Sequence, residues 1–360
     1  MKALYLAPLP PPAGGIATWA IRMKNAELKN GWTVQIIDEK VTDNRDLKAQ
    51  KVNYNLAQEA RRCFVIWKNL WKALDDKDAA IVHSSIPAAL TSMSREVVCA
   101  IITRLRRRKF IIHFRCTVPN MVKSKASLAV FRILTGLSNG VIALNSASED
   151  FTKEHSKTYV QVIPNFVSLS EVIENKTSTD SFIVLYVGTV IPDKGCLTMI
   201  QAAKECPEYQ FRLVGAVGKE MKHIDLPANV IMTGEATKDA VREELSAASV
   251  FVFASSYIGE GFSNSLAEAM AAKLPCIVTD WAANADMIED KGGFIIEKDD
   301  VAGMVESLRT LQADSVLRTR MGNWNAQKVR ERYSQEYITG QYVDLYESVL
   351  TKRRGGELLR

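Results

Sequence analysis

Two carboxylates open the chemical reading of this chain. Glu260 and Glu268, with seven residues between them, bracket the stretch E-G-F-S-N-S-L-A-E, which follows the apolar run V-F-V-F-A. This order predicts a strand, a loop holding Glu260, and a helix starting near Ser263, whose hydroxyl suits an N-cap. The N-terminus of such a helix offers the amides of Gly261, Phe262, Ser263 and Asn264 and the positive end of the helix dipole. A phosphate binds in such a place, and Gly261 lets it approach the backbone. Glu268, about one and a half turns into the helix, can accept hydrogen bonds from two vicinal ribose hydroxyls. Taken alone, the stretch reads as a capped helix with Glu268 in solvent, so its neighbours decide.

Three other stretches follow strand ends. In Y-V-G-T-V-I-P-D-K-G, Tyr186 to Gly195, a strand ends at Gly188 and Lys194 precedes a helix, placed to reach a pyrophosphate as a point charge. A solvated surface lysine is the usual alternative. In P-P-P-A-G-G-I-A-T, Pro10 to Thr18, Gly14 and Gly15 permit a tight turn whose amides open onto a helix. The G-x-G-x-x-G fingerprint is missing, which sets a dehydrogenase aside. In I-I-H-F-R, Ile111 to Arg115, His113 and Arg115 share one side of a buried strand end. A lone histidine there is more often structural, but this one lies on the side expected to face the ligand. Asp76 and Asp78 form a D-x-D pair within the charged turn D-D-K-D and read as solvated turn residues.

Alternating β-branched runs and amphipathic stretches must position these groups. Strands are expected at Lys2–Leu6, Trp32–Asp38, Ala80–Ser84, Phe110–Arg115, Val141–Asn145 and Val160–Pro164. A second set is expected at Phe182–Val187, Gln210–Val214, Val230–Thr233, Val250–Ala254, Cys276–Thr279 and Phe294–Glu297, followed only by helices. The Thr18–Asn30 stretch predicts a helix stopped by Gly31. Strand–helix alternation implies parallel sheets covered on both faces. The fold class is therefore α/β, with two doubly wound, Rossmann-like domains facing a cleft. They are expected at 1–166, joined by a returning helix at 334–352, and at 182–333, with a polar linker at 167–181.

Composition narrows the class. Hydrophobic content of 47% and charged content of 24% are those of a globular protein. No run approaches the roughly 18 apolar residues that span a bilayer, and M-K-A-L-Y-L-A-P reads as a strand rather than a signal peptide. A cytoplasmic location is expected. The six cysteines lie far apart and the four histidines lack metal-ligand spacing, so packed thiols are expected rather than disulfides or zinc. Residues 1–165 carry 25 Lys+Arg against 13 Asp+Glu, and the remainder 21 against 28, so the first half is suited to an anionic partner. The stretch Val52–Leu74 puts Leu56, Cys63, Phe64, Trp67, Leu70, Trp71 and Leu74 on one helical face. Arg61, Arg62, Lys68 and Lys72, with the basic cluster Arg104 to Lys109, suit a membrane surface. A helix packed on its sheet by the apolar face explains the same pattern.

Together these residues resemble the retaining GT-B glycosyltransferases of family 4, most strongly from Phe182 to Ile288. The likeness rests on V-G-T-V-I-P-D-K-G, F-R-L-V-G-A-V-G, the two-glutamate element in its context, and A-K-L-P-C-I-V-T-D. In the first half it is looser, through Gly14-Gly15-Ile16, His113 and I-P-N-F-V. The resemblance implies that Glu268 binds the ribose of a UDP- or GDP-sugar and that Glu260 contacts the transferred sugar, near the amides of Gly261, Phe262 and Ser263. It further implies that Lys194 holds the diphosphate in a donor site that includes Gly188, Thr189 and Asn264. Gly15, beside Gly14, approaches the phosphates, and His113 touches the sugar near the reacting carbon. No metal or other cofactor is implied. The implied acceptor is a glycan or polyprenyl-linked sugar in cell-envelope polysaccharide synthesis. The enzyme would be cytoplasmic or peripheral on the inner membrane face, and it would have no nucleic-acid partner. Thr189 stands where the family usually has Arg, which removes one cationic diphosphate contact that Lys219 or Arg115 could supply instead, and Ser263 replaces a frequent Gly. The rival readings are a nucleotide-sugar epimerase and a non-catalytic nucleotide-binding paralogue.

Overall fold

The computed structural model describes residues 1–10, 14–39, 56–168 and 181–351. The chain divides into two compact units, Met1–Asn165 with Ile338–Arg360, and Phe166–Tyr337. Unit 1 holds strands β1 (Lys2–Ala7), β2 (Thr33–Asp38), β3 (Ala79–Ile86), β4 (Lys109–Phe114), β5 (Gly140–Ala143) and β6 (Val160–Val162). They form one parallel sheet in the order β2-β1-β3-β4-β5-β6. Unit 2 holds β7 (Ile183–Val187), β8 (Gln210–Val214), β9 (Val230–Gly234), β10 (Val250–Phe253), β11 (Cys276–Thr279) and β12 (Gly293–Ile296). Their order is β12-β11-β10-β7-β8-β9, again parallel. Every expected strand forms, with ends that move by at most two residues. Such strands read as unbroken apolar runs because both faces are covered, as in Ala3–Ala7, where no residue has accessible surface.

In each sheet the order reverses once, between β1 and β3 in unit 1 and between β7 and β10 in unit 2. Chain segments leaving the two strands at a reversal diverge, and the crevice at their carboxyl ends is where such sheets bind ligands.

Two helices differ from expectation. The first runs Gly15–Lys24, not Thr18–Asn30, and a separate turn at Lys29–Gly31 follows it. Extended Gly14 starts this helix early, and Asn25, a poor interior residue, caps it. The helix Leu56–Ala73 buries Ile66 and Leu70 rather than the whole expected face, and leaves Leu56, Phe64 (64% exposed) and Trp71 (46%) in solvent. Its apolar arc is wider than the strip the sheet can cover, so part of that arc stays outside.

The chain re-enters unit 1 through the helix Gln335–Thr351, which buries Ile338, Tyr342, Val343, Leu345, Tyr346 and Val349. Most of the expected linker, residues 169–180, lies outside the described residues. All six cysteines are free thiols. Among the described residues no helix is long and apolar enough to cross a membrane.

Candidate functional site

In unit 2 the two strongest sequence stretches leave the two strands of the reversal point, one after β7 and the other after β10. Three contacts pin them together. The Ser256 amide donates to the Asp193 carbonyl at 2.8 Å. Gly195, at φ +76°, passes so close to Ala254 that a Cβ would lie 2.3 Å from its carbonyl oxygen, so glycine is required on both counts. Lys194 Nζ forms an ion pair with Glu260 Oε2, and both side chains are largely buried. The ammonium also lies over the Tyr257 ring, 4.7 Å from its centroid, and 5.4 Å from that of Phe253. Tyr257 is fixed by the Trp281 indole, which donates to its carbonyl at 2.8 Å.

The helix Asn264–Ala271 begins where the sequence placed it. Ser263 caps it, its hydroxyl accepting from the Leu266 amide at 3.2 Å. Gly261 and Phe262 are buried in the approach, Phe262 edge-on to Tyr333 with centroids 5.2 Å apart. Glu268 is half-buried, about 6 Å further along the helix axis than Asn264 at 1.5 Å per residue. Gly188 sits at φ +155° at the end of β7, and a Cβ there would lie 2.7 Å from the Tyr186 hydroxyl. Thr189 is exposed, and its carbonyl accepts from that hydroxyl at 2.8 Å. The assembly thus joins a cation, an acid and a helix N-terminus at one strand reversal. Sequence reasoning missed the Lys194–Glu260 pair and the Tyr257 platform; only the aromatic in F-A-S-S-Y signalled the latter.

In unit 1, Gly14 is extended at φ −174° and Gly15 opens the first helix. Neither makes the tight turn expected of it, and a Cβ at either would meet nothing within 4 Å. His113 is fully buried inside a polar ladder. Its Nε2 lies 3.2 Å from Arg115 Nη1, and its Nδ1 lies 3.1 Å from His83 Nε2. His83 Nδ1 continues to the Tyr346 hydroxyl at 2.6 Å, which meets the Tyr5 hydroxyl at 2.8 Å.

Arginine can only donate, so the ladder has one proton order. Arg115 donates to His113 Nε2, His113 Nδ1–H to His83 Nε2, and His83 Nδ1–H to Tyr346. Both imidazoles are then neutral. Burial, reinforced by the Arg115 charge, pulls His83 down to about 3 and holds His113 well below the usual histidine range. With both ring nitrogens engaged and no exposed surface, His113 is covered where contact with a sugar was expected.

A second buried cluster lies in the same unit. Arg95 bonds Glu39 Oε2 at 2.8 Å and Glu96 Oε1 at 2.7 Å. Burial, reinforced by neighbouring Glu96, pushes the Glu39 carboxyl up to about 8 against the opposing Arg95 and Arg62 charges. Among the described residues no group of three metal-ligating side chains converges. Asp76 pairs with Lys2 at the surface, in keeping with a solvated turn.

The family model described as "Glycosyl transferases group 1" matches residues 170–328. The capsular polysaccharide biosynthesis glycosyltransferase CapM of Staphylococcus aureus is 28% identical over 192 residues, half of each chain. The chain spans 50–60% of the length of the first three curated relatives it matches. Sucrose-phosphate synthase from Thermosynechococcus elongatus shares the fold at a TM-score of 0.78 and 18% identity, over 97% of this chain and 98% of that one. Anabaena Alr3699/HepE in complex with UDP and glucose gives a TM-score of 0.74 at 17% identity, over 97% and 100%. These likenesses establish two Rossmann-like domains of GT-B type.

Proposed function

Residues 170–328 match the glycosyl transferases group 1 family model, and from that premise we propose that the chain moves a hexose-type sugar, with retention, from a UDP- or GDP-sugar to a glycan or polyprenyl-linked acceptor in cell-envelope polysaccharide synthesis. The observation that carries this reading is the convergence of Lys194, Glu260 and the Glu268 helix at the strand reversal of unit 2. Breaking the bond between the anomeric carbon and the diphosphate builds negative charge on the leaving group. Lys194 and the amides at the Ser263 cap are the donors that stabilise it. Glu260 contacts the transferred sugar and Glu268 the ribose. The acceptor hydroxyl attacks from the leaving-group face and passes its proton to the departing phosphate. In unit 1 the proposed contributors are Gly14 and Gly15, whose surroundings are open, and the end of β4 at His113.

A thermal-shift screen of nucleoside diphosphates and their sugars tests the donor site. UDP or GDP is expected to raise the melting temperature, and Glu268→Ala to weaken that nucleotide about tenfold, as loss of a charged hydrogen-bond partner does. No response to any nucleotide would sink the reading. Donor conversion without acceptor would identify an epimerase, and binding without turnover a non-catalytic paralogue.

The basic first unit supplies the proposed membrane contact. Phe64, Trp71 and Leu105 are exposed, Arg61, Lys68 and Lys72 stand on the same helix as the two aromatics, and the Arg106 guanidinium lies 4.8 Å above the Trp71 ring. Aromatic edges among cations match an anionic lipid surface. The chain is expected to sediment with phosphatidylglycerol vesicles at low salt, and Trp71→Ala to weaken that binding. Equal recovery with neutral phosphatidylcholine vesicles would count against the proposal.

A further inference from the structure

We infer that Arg115 is a ligand-binding cation of unit 1, that its partner is an oxyanion of the substrate, phosphate or carboxylate, and that His113 holds it in position. Two buried arginines of this unit separate the roles. Arg95, 6% exposed, bonds two acidic side chains, Glu39 and Glu96, at 2.8 and 2.7 Å. Arg115, 8% exposed, pairs with no carboxylate among the described residues. Its contacts are His113 Nε2 at 3.2 Å, the Tyr342 hydroxyl and the face of Trp19, 4.7 Å from the ring centroid. All three are neutral.

Neutral partners satisfy N–H groups but leave the charge unbalanced, and burying such a charge is costly. The cost shows in the guanidinium, which burial pulls down to about 10. A fold keeps an unbalanced cation where a ligand completes it, trading stability for function. The proton order of the ladder strengthens this reading. Protonated His113 would turn an N–H toward Arg115, so the groups behind the guanidinium stay uncharged. His113 and His83 have no accessible surface, whereas Arg115 retains a little, so of these three residues Arg115 is the one that reaches the surface. It follows directly on β4, at the carboxyl end of the sheet, where open α/β folds take ligands. Its planar fork suits a phosphate or carboxylate. Only the source of the oxyanion, donor diphosphate or an acid on the acceptor, rests on the glycosyl-transfer reading.

The test uses the full chain labelled with 15N-histidine and titrated with inorganic phosphate. The His113 nitrogens are expected to shift saturably in the wild type, less in Arg115→Lys, and not in Arg115→Met. Arg115→Met is expected to melt no lower than the wild type, since an unbalanced charge has been removed. A phosphate response that survives in Arg115→Met overturns the assignment. So does a large loss of stability, which would make the residue structural. UDP and GDP then identify the source. A tenfold weaker nucleotide in Arg115→Met assigns the donor diphosphate, and unchanged nucleotide affinity with a raised acceptor KM assigns the acceptor. Phosphate binding needs no sugar transfer, so its failure is separable from failure of the proposed activity.

Discussion

Methionine in place of Lys194 is expected to lower kcat for sugar transfer by about 100- to 1,000-fold, the range for removing one preorganised donor to a developing anion. The ammonium is fixed by Glu260 and by the Tyr257 and Phe253 rings, so little reorganisation is needed when charge appears on the leaving group. Glu260→Gln is expected to lose turnover as well, through its proposed sugar contact. The double variant should fall far short of the product of the two losses, because the pair acts as one unit. Stability should behave differently. Each single variant strands a largely buried charge and costs on the order of 2 kcal/mol, discounted from the figure for full burial because both side chains keep some exposure. The double variant should recover much of that. Steady-state kinetics at saturating donor, with urea melts of all four proteins, separate the effects. Wild-type turnover in Lys194→Met would remove this lysine from the chemistry.

Stability of unit 1 is expected to peak near pH 6.5, the ordinary histidine value, and to fall on both sides. On the acid side, unfolding frees His83 and His113 to bind protons that their buried forms, at about 3 for His83 and well below the usual range for His113, refuse. The unfolded state thus binds more protons below pH 6.5, and stability drops with falling pH. Glu39 acts in the opposite sense. Its buried carboxyl keeps a proton up to about pH 8 against an ordinary value of 4.5, so the folded state binds more between those values. That contribution is complete below 4.5 and is lost as pH rises toward 8. Two histidines against one glutamate leave a net loss of roughly 1 kcal/mol per pH unit from 6.5 to 4.5, and about twice that further down. Above 6.5, Glu39 alone gives a decline of roughly 1 kcal/mol per unit. Urea unfolding at pH 8, 6.5 and 4.5 reads this, and Glu39→Gln should flatten the alkaline limb. Stability that rises from pH 6.5 to 4.5 would show that the histidines are charged inside the fold, leaving Glu39 to act alone.

The strands were legible because a buried parallel strand is an unbroken apolar run, a property of adjacent residues. The Ser263 cap was legible for the same reason. Its chemistry is complete within four residues, from Ser263 to Leu266. What local pattern does not carry is sheet order. Lys194 and Glu260 are 66 residues apart, and only the placement of β7 beside β10 brings them together. The partners of His113 have the same cause, since Tyr346 reaches His83 across 263 residues through the returning helix. The face of the Leu56–Ala73 helix was misjudged because periodicity counts apolar residues without measuring how much surface the sheet has to offer. The Gly14–Gly15 turn was misjudged because a glycine pair permits a left-handed conformation without requiring one.

The helix Gln335–Thr351 has a consequence for anyone recombining chains of this fold. Its residues from Ile338 onward belong to unit 1, where Tyr342 and Tyr346 are fully buried. A chimera spliced once, near residue 165, would give a carboxyl-terminal half whose tail was fitted to another protein's core. Exchange of whole modules therefore needs two junctions, the second within the first turn of this helix, so that each amino-terminal domain keeps its own carboxyl-terminal plug.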